Sequence, residues 1–170
     1  MGALGATTTG ANNTAVGQDS LQTNTTASDN TGIGYSALNQ NTTGASNVAV
    51  GSLALDANTT ASANTAIGVS ALTSNTTGGS NTAVGTHALD ANTTASDNVA
   101  VGRNALLANT TGASNVAAGK DSLDANTTAS SNTAVGVSSL GANTTGGTNT
   151  AVGANALQQR TTKHLSLIHI

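Results

Sequence analysis

The 170-residue chain contains no cysteine, proline, phenylalanine or tryptophan, and its only aromatic residue is Tyr35. Without cysteine it can form neither a disulfide nor a thiolate metal site. Four lysines and arginines with one aromatic ring supply neither the phosphate-neutralising patch nor the stacking platform of a nucleic-acid-binding protein. No apolar run approaches the roughly 18 residues that span a bilayer. The sequence therefore predicts neither nucleic-acid binding nor membrane insertion by this segment.

Bulky aliphatic residues are also scarce, since leucine, valine and isoleucine account for 29 of the 170 residues. Such a low fraction is usual in disordered chains. Disordered chains, however, usually carry a high net charge, and this chain carries only −3. They also have no reason to keep leucine and valine at a constant phase through nine copies of a repeat. We therefore expect an ordered protein.

A 17-residue repeat reads N-[TV]-[AG]-[VIA]-G-x-x-[AS]-L-x-x-N-T-T-[AG]-x-x, and its residues are numbered here as positions 1 to 17 from the first Asn. Position 1 is occupied by Asn13, Asn30, Asn47, Asn64, Asn81, Asn98, Asn115, Asn132 and Asn149. Position 5 is occupied by Gly17, Gly34, Gly51, Gly68, Gly85, Gly102, Gly119, Gly136 and Gly153. A short fixed period is typical of a solenoid, in which each unit stacks on its neighbours instead of closing its own core. Residues 1–159 are expected to form one β-solenoid array, truncated at both ends.

Residues 160–170 do not follow the repeat. The segment 165–170 reads like the translation of a transposon-end adapter used in sequencing libraries, and we interpret it as an artefact. The alternative is a genuine apolar C-terminal strand.

A second rhythm alternates Ala and Gly at position 15, which defines a 34-residue pair of repeats. The alternating residues are Ala27, Gly44, Ala61, Gly78, Ala95, Gly112, Ala129 and Gly146. Expansion by duplication explains this rhythm more simply than a function does.

Within each repeat, positions 2 and 4 share one face of a short strand, while positions 1 and 3 share the other. A second segment around the Ala or Ser at position 8 and the Leu at position 9 also reads as a strand. The invariant glycine at position 5 is expected where the backbone takes a positive φ or passes close to another segment. The pattern predicts an all-β, parallel β-roll or β-solenoid of 17-residue coils with about two strands per coil. At about 4.8 Å per coil, nine coils give a rod roughly 43 Å long.

Both strand faces avoid charge, which indicates that both are buried. One face can fill the roll, and the other would pack against sister chains, so we expect an oligomer. The Asn columns at positions 1 and 12 are expected to hydrogen-bond along the axis. The adjacent threonines at positions 13 and 14 are expected to form similar ladders or to satisfy the backbone.

The repeat, as in Asn81–Gly85, Ala88-Leu89 and Asn92–Thr94, resembles those of phage-type tail-fibre domain proteins. More distantly it is similar to the shorter A-I-G repeats in the β-roll heads of trimeric autotransporter adhesins. The resemblance covers Ala3 to about Gln159. It implies a left-handed homotrimer that serves as a fibre shaft or adhesive head and attaches to a host-surface receptor or glycan. The implied location is a virion tail fibre or the extracellular, bacterial cell surface.

The sequence contains no catalytic, metal-binding or cofactor-binding constellation, and we predict that the protein is not an enzyme. The aspartates at position 10 would stack every second coil, about 9.6 Å apart, which is too far for them to share one cation. Surface contacts are expected at the variable outward positions 6, 7, 10 and 17. Examples are Tyr35, His87, Arg103 and Asp97.

Two further interpretations of the threonines stay open. The N-T-T segments match the N-glycosylation sequon. The expected Asn and Thr ladders account for the same residues without glycosylation. Regular threonine columns would also suit a monomeric solenoid that binds ice or another regular surface. Because the threonines are adjacent, only one of each pair can face the same way.

Overall fold

The computed structural model describes residues 2–159, together with the backbone of a short strand at 168–169. The strands are β1 Thr14–Val16, β2 Thr31–Ile33, β3 Val48–Val50, β4 Thr65–Ile67, β5 Thr82–Val84, β6 Val99–Val101, β7 Val116–Ala118, β8 Thr133–Val135, β9 Thr150–Val152 and β10 Ile168–His169. All are parallel and lie in one sheet in sequence order. No helix occurs among the described residues. The predicted all-β, parallel solenoid of 17-residue coils is confirmed.

The pairing register equals the sequence period. Thr82 of β5 pairs with Val99 of β6, and Ala83 pairs with Ala100. Each repeat position therefore forms a straight column along the rod. In β10, Ile168 pairs with Ala151 at the same 17-residue step. The remaining residues of the segment 160–170 lie outside the described part of the chain.

Each coil contains one strand instead of the two predicted. The strand covers positions 2 to 4, and the segment around the leucine forms turns. Its backbone enters the left-handed region twice, as at His87 (φ 56°) and Leu89 (φ 53°), and a β-strand cannot include such residues. The turns still bond to the next coil, because the Leu89 amide donates to the Ala105 carbonyl at 3.0 Å.

The core is a narrow column of small and aliphatic side chains. Leucines at position 9 form its centre, and eight of them are at most 1% exposed: Leu21, Leu38, Leu55, Leu72, Leu89, Leu106, Leu123 and Leu140. Alanines at position 3 line the opposite wall, as Ala83 and Ala100 do. The predicted division of the strand is confirmed, since the Asn at position 1 and the Ala at position 3 point inward.

Two buried asparagine ladders connect the coils, as the sequence predicts. At position 12, each amide nitrogen donates to the amide oxygen of the preceding coil; Asn75 donates to Asn58 at 3.1 Å and accepts from Asn92 at 2.8 Å. The same nitrogen of Asn75 also donates to the Gly78 carbonyl at 2.9 Å. At position 1 the backbone N–H of Asn81 donates to the side-chain oxygen of Asn64 at 2.9 Å. These polar groups therefore stay satisfied inside a thin rod.

The first threonine of each pair serves the backbone. The hydroxyl of Thr76 donates to the carbonyl of Thr93 in the next coil at 3.0 Å, and the equivalent bonds recur along the rod. Of the two roles predicted for these threonines, satisfaction of the backbone is the observed one.

The glycine at position 5 is required both by its positive φ and by its close approach to the next coil, the two reasons predicted from the sequence. Gly85 has φ 138°, and a Cβ there would lie 2.5 Å from the carbonyl oxygen of Gly102 in the next coil. Any larger residue would strain the backbone and separate the coils.

The alternation at position 15 corresponds to a structural pair of coils. We call a coil with Gly at position 15 a Gly coil and one with Ala an Ala coil. A Cβ on Gly78 would lie 2.1 Å from the Ala95 carbonyl oxygen of the following Ala coil. The hydrogen bonds between coils alternate in the same way. From the Gly coil to the Ala coil the Thr76 N–H donates to the Thr93 carbonyl at 2.9 Å, whereas from the Ala coil to the next Gly coil the Thr93 N–H donates to the Thr110 carbonyl at 3.1 Å.

The same junction carries an extra hydrogen bond. The Ser96 hydroxyl oxygen of the Ala coil accepts from the Gly79 N–H of the preceding Gly coil at 3.0 Å. The bond recurs at three other such junctions, from Ala11 to Ser28, Ala45 to Ser62 and Ala113 to Ser130. The 34-residue rhythm therefore has a structural role.

We expect Gly78→Ala to lower the free energy of unfolding by about 1–3 kcal/mol, because the added methyl group overpacks the junction. The matched control is Gly79→Ala, which places alanine where Ala45 and Ala113 stand in equivalent coils. Urea denaturation of both variants provides the comparison. Equal stability of the two variants would show that the junction tolerates a methyl group.

We expect Asn75→Ala to lower the free energy of unfolding by about 3 kcal/mol, because it leaves one N–H of the buried Asn92 amide and the side-chain oxygen of Asn58 without partners. The control is Thr77→Ala at an exposed position, expected to change stability by less than about 0.5 kcal/mol. Chemical denaturation followed by circular dichroism measures both. A loss at Asn75 no larger than at Thr77 would contradict a stabilising role for the ladder.

Candidate interaction surface

The exposed bulky apolar side chains all lie on one side of the rod. Among the described residues, the eleven large hydrophobic residues classed as exposed occupy only positions 2, 4 and 6. They are Val16, Ile33, Tyr35, Ile67, Val69, Val99, Val101, Val116, Val135, Val137 and Val152. We call the surface formed by positions 2, 4 and 6 the apolar face. Its exposure in the single chain makes it the candidate interaction surface.

Local geometry places these side chains together. The inward alanine at position 3 forces positions 2 and 4 outward, because side chains alternate along a strand. Position 6 follows directly after the glycine turn and continues the same side of the rod. The 17-residue register then repeats the three columns in every coil, about 4.8 Å apart. The position-4 column, which holds valine or isoleucine and once alanine, is therefore continuous over the length of the sheet.

Position 6 alternates with the paired coils. In Gly coils it holds Tyr35, Val69, Arg103 and Val137, whereas in the other coils it holds Gln18, Ser52, Thr86, Lys120 and Ala154. Three of the four Gly coils thus place a bulky apolar residue there. The apolar face consequently has a repeat of two coils, the same as the interior.

One stretch of the apolar face is charged. Arg103 and Lys120 occupy position 6 of consecutive coils and approach the same oxygen of Asp121, with Nη2–Oδ2 3.9 Å and Nζ–Oδ2 3.4 Å. Asn104 donates to the other oxygen of Asp121 at 2.9 Å. Although desolvation raises the pKa of Asp121, the bonds from Asn104 and Lys120 and the charges of Lys120 and Arg103 give a net lowering. We call these four residues the charged cluster.

The position-10 aspartates lie on the flank of the rod. Burial raises the pKa of Asp56, and burial together with the charge of Asp121 raises that of Asp124. Asp90 instead pairs with His87, whose Nδ1 lies 3.2 Å from the carboxylate. Within residues 2–159 no three histidine, cysteine, aspartate or glutamate side chains lie close enough together to hold a metal ion.

The other contact residues named from the sequence do not form one site. Tyr35 and Arg103 share the position-6 column but stand four coils apart, about 19 Å. His87 lies beside this column at position 7, and Asp97 is exposed at the position-17 corner. Position 7 is not uniformly outward as predicted, because Ser36 and Ser70 there are buried.

The second threonine of each pair forms an exposed column on another side of the coil. This threonine column consists of Thr26, Thr43, Thr60, Thr77, Thr94, Thr111, Thr128 and Thr145. The first threonines are half-buried, so the two threonines of a pair differ in exposure, as expected if only one of each pair can face the same way. By contrast, the Asn side chains of the N-T-T sequons are buried and donate hydrogen bonds. The folded rod therefore does not present them for glycosylation.

We expect Asp56→Asn to stabilise the protein at pH 7 and to have little effect near pH 3. The pKa of Asp56 is raised on folding, so its contribution to stability falls as the pH rises from the unfolded pKa through the folded one. Thermal unfolding at the two pH values measures the difference. Asp97→Asn, at an exposed corner, is the control, and a shift in melting temperature that is equal at both pH values would refute the assignment.

No helix in the described part of the chain is long and apolar enough to cross a membrane. Comparison with protein-family models, curated proteins and solved structures finds no match to this chain. The tail-fibre and autotransporter relationship therefore stays a prediction based on the repeat. The structure establishes a parallel β-solenoid whose exposed large hydrophobic side chains, within the described residues, lie on one face.

Proposed function

We propose that this chain is a structural and adhesive rod, a segment of a fibre shaft or head in which three copies pack through their apolar faces. The observation that carries the proposal is the confinement of all eleven exposed large hydrophobic residues, in the described part of the chain, to that face. A fibre of this kind attaches to a host or another surface and needs no catalytic group.

The periodicity of the apolar face favours copies of the same chain as its occupant. At position 4 an exposed or half-buried apolar side chain recurs in every coil, about every 4.8 Å. A partner can meet all of them only if its own side chains repeat at the same distance, and a second solenoid of this sequence does so. The small core also favours association, because a single leucine per coil buries little apolar surface. Burial of the apolar face against another copy would add to stability.

The resemblance to tail-fibre repeats supports three chains instead of two and a left-handed coil. A three-fold arrangement brings three apolar faces to one axis and leaves the threonine column and the position-17 corners free to make contacts. Repeated weak contacts along three chains would bind a host-surface receptor or glycan by avidity. The corresponding location is a virion tail fibre or a bacterial cell surface.

The test is the solution mass of the full chain by light scattering, with far-UV circular dichroism of the same sample. We expect a β-rich species of three times the 16.2 kDa chain mass. The double variant Ile67→Lys/Val101→Lys is expected to become monomeric, because it places charges at the contact. The control Thr77→Lys/Thr111→Lys, on the threonine column, should stay trimeric. A β-rich monomer in the parent chain would refute the proposal.

The threonine column favours a second candidate, a monomeric solenoid that binds ice or another regular surface. Eight exposed threonines recur at every coil, which is a regular array of hydroxyl and methyl groups. This candidate predicts a monomer with thermal hysteresis above that of an ordinary protein, reduced by Thr77→Lys/Thr111→Lys. Absence of hysteresis would eliminate it.

A further inference from the structure

We propose that the charged cluster, together with Ala118 beside it, fixes the axial register in which copies of this chain pack. The inference rests on the proposed function, since it concerns contacts between apolar faces. Its occupant is a second copy of the chain, for the reason of matched periodicity given above.

A repetitive face does not by itself define one register. If two copies slide by two coils, or 34 residues, most side chains meet equivalents of their former partners. A slide by one coil is less favourable, because each Gly coil of one copy then meets an Ala coil of the other where it had met a Gly coil. The bulky position-6 residues would lose their former partners. The two-coil alternation therefore limits the alternatives without selecting one.

The segment around Arg103 breaks the repeat in two ways. Position 4 is Val or Ile in eight strands and Ala only at Ala118, where the neighbouring strands place Val101 and Val135. The smaller side chain leaves a notch in an otherwise even apolar column. Arg103 and Lys120, adjacent to this notch, are the two cationic residues, Lys or Arg, within residues 2–159.

The geometry leaves Arg103 able to contact another chain. Its guanidinium stands 3.9 Å from Asp121, beyond hydrogen-bonding distance, and its side chain is 56% exposed. When copies pack in register, each charged cluster lies at the height of the same cluster in the next copy. The guanidinium can then pair with Asp121 of that copy, and the stem of Arg103 can fill the notch at Ala118.

After a two-coil slide, Arg103 would lie at the height of Val69 or Val137. A charge held against the apolar surface of the other copy, with no carboxylate of that copy to pair with, is unfavourable. The in-register arrangement is therefore favoured because the arrangements shifted by two coils are destabilised. Destabilising the alternatives is a common basis of specificity.

The experiment uses the absence of cysteine to introduce single thiols at position 6. Chains carrying Ser52→Cys and Thr86→Cys, which are two coils apart, are co-expressed and treated with a short thiol–thiol crosslinker. Mass spectrometry then separates 52–52, 86–86 and 52–86 products. In the parent background we expect the two like products and almost no 52–86 product.

The same pair of chains is then made in a background carrying Arg103→Val, Ala118→Val and Lys120→Thr, which restores the residues of equivalent coils. We expect the share of 52–86 product to rise at least tenfold while the solution mass and circular dichroism stay unchanged. The control background is Tyr35→Val, which changes position 6 without touching the charged cluster, and should leave the products unchanged.

Three outcomes would overturn the inference. An unchanged share of 52–86 product in the restored background, or a high share in the parent, would show that the charged cluster does not set the register while leaving the trimer intact. A monomeric parent chain that gives no crosslink would overturn the inference and the proposed function together. The solution mass of each sample distinguishes these cases.

Discussion

The close stacking of consecutive coils is the constraint on which the rest of the structure depends. Coils about 4.8 Å apart leave no room for a Cβ on Gly85, where one would come within 2.5 Å of the next coil. The same spacing brings identical amides within hydrogen-bonding distance, as between Asn75 and Asn58 at 3.1 Å. Because each residue stacks on its own equivalent, a residue that satisfies its neighbours once does so in every coil. A sequence that repeats with the length of the coil therefore satisfies every coil in the same way.

A rod this thin has few inward positions, and that fact relates the interior to the surface. Leucine and alanine fill the inside, while valine and isoleucine of the same strands remain outside, such as Val101 at 42% exposed. The outward residues of a three-residue strand cannot be covered by the chain itself, because the coil turns away after the glycine. Their burial requires another molecule, and on this ground we propose a structural assembly.

The two-coil pairing shows how a sequence rhythm acquires structural meaning. Gly78 and Ala95 occupy the same position of consecutive coils. The structure accommodates alanine at position 95, whereas a Cβ at position 78 would clash with the Ala95 carbonyl oxygen. The serine that follows Ala95 accepts a hydrogen bond from the preceding coil. Position 6 follows the same alternation on the apolar face. A pair of coils is therefore the smallest unit that can be repeated without altering either the packing or the outer surface.

The sequence by itself determined the solenoid, its period, the two faces of the strand at positions 2 to 4 and the asparagine ladders, because stacking projects a periodic sequence directly onto columns. It did not reveal that the leucine segment is a turn, since Leu89 at φ 53° carries no local signal for that conformation. Asn and Asp, frequent at positions 7 and 17, were the available signal for the other left-handed residues. The tertiary structure alone decided which threonine is exposed, how the coils pair and which apolar residues remain uncovered. These features depend on the path of the backbone between strands, and that path is set by contacts 17 residues apart and not by neighbours in the chain.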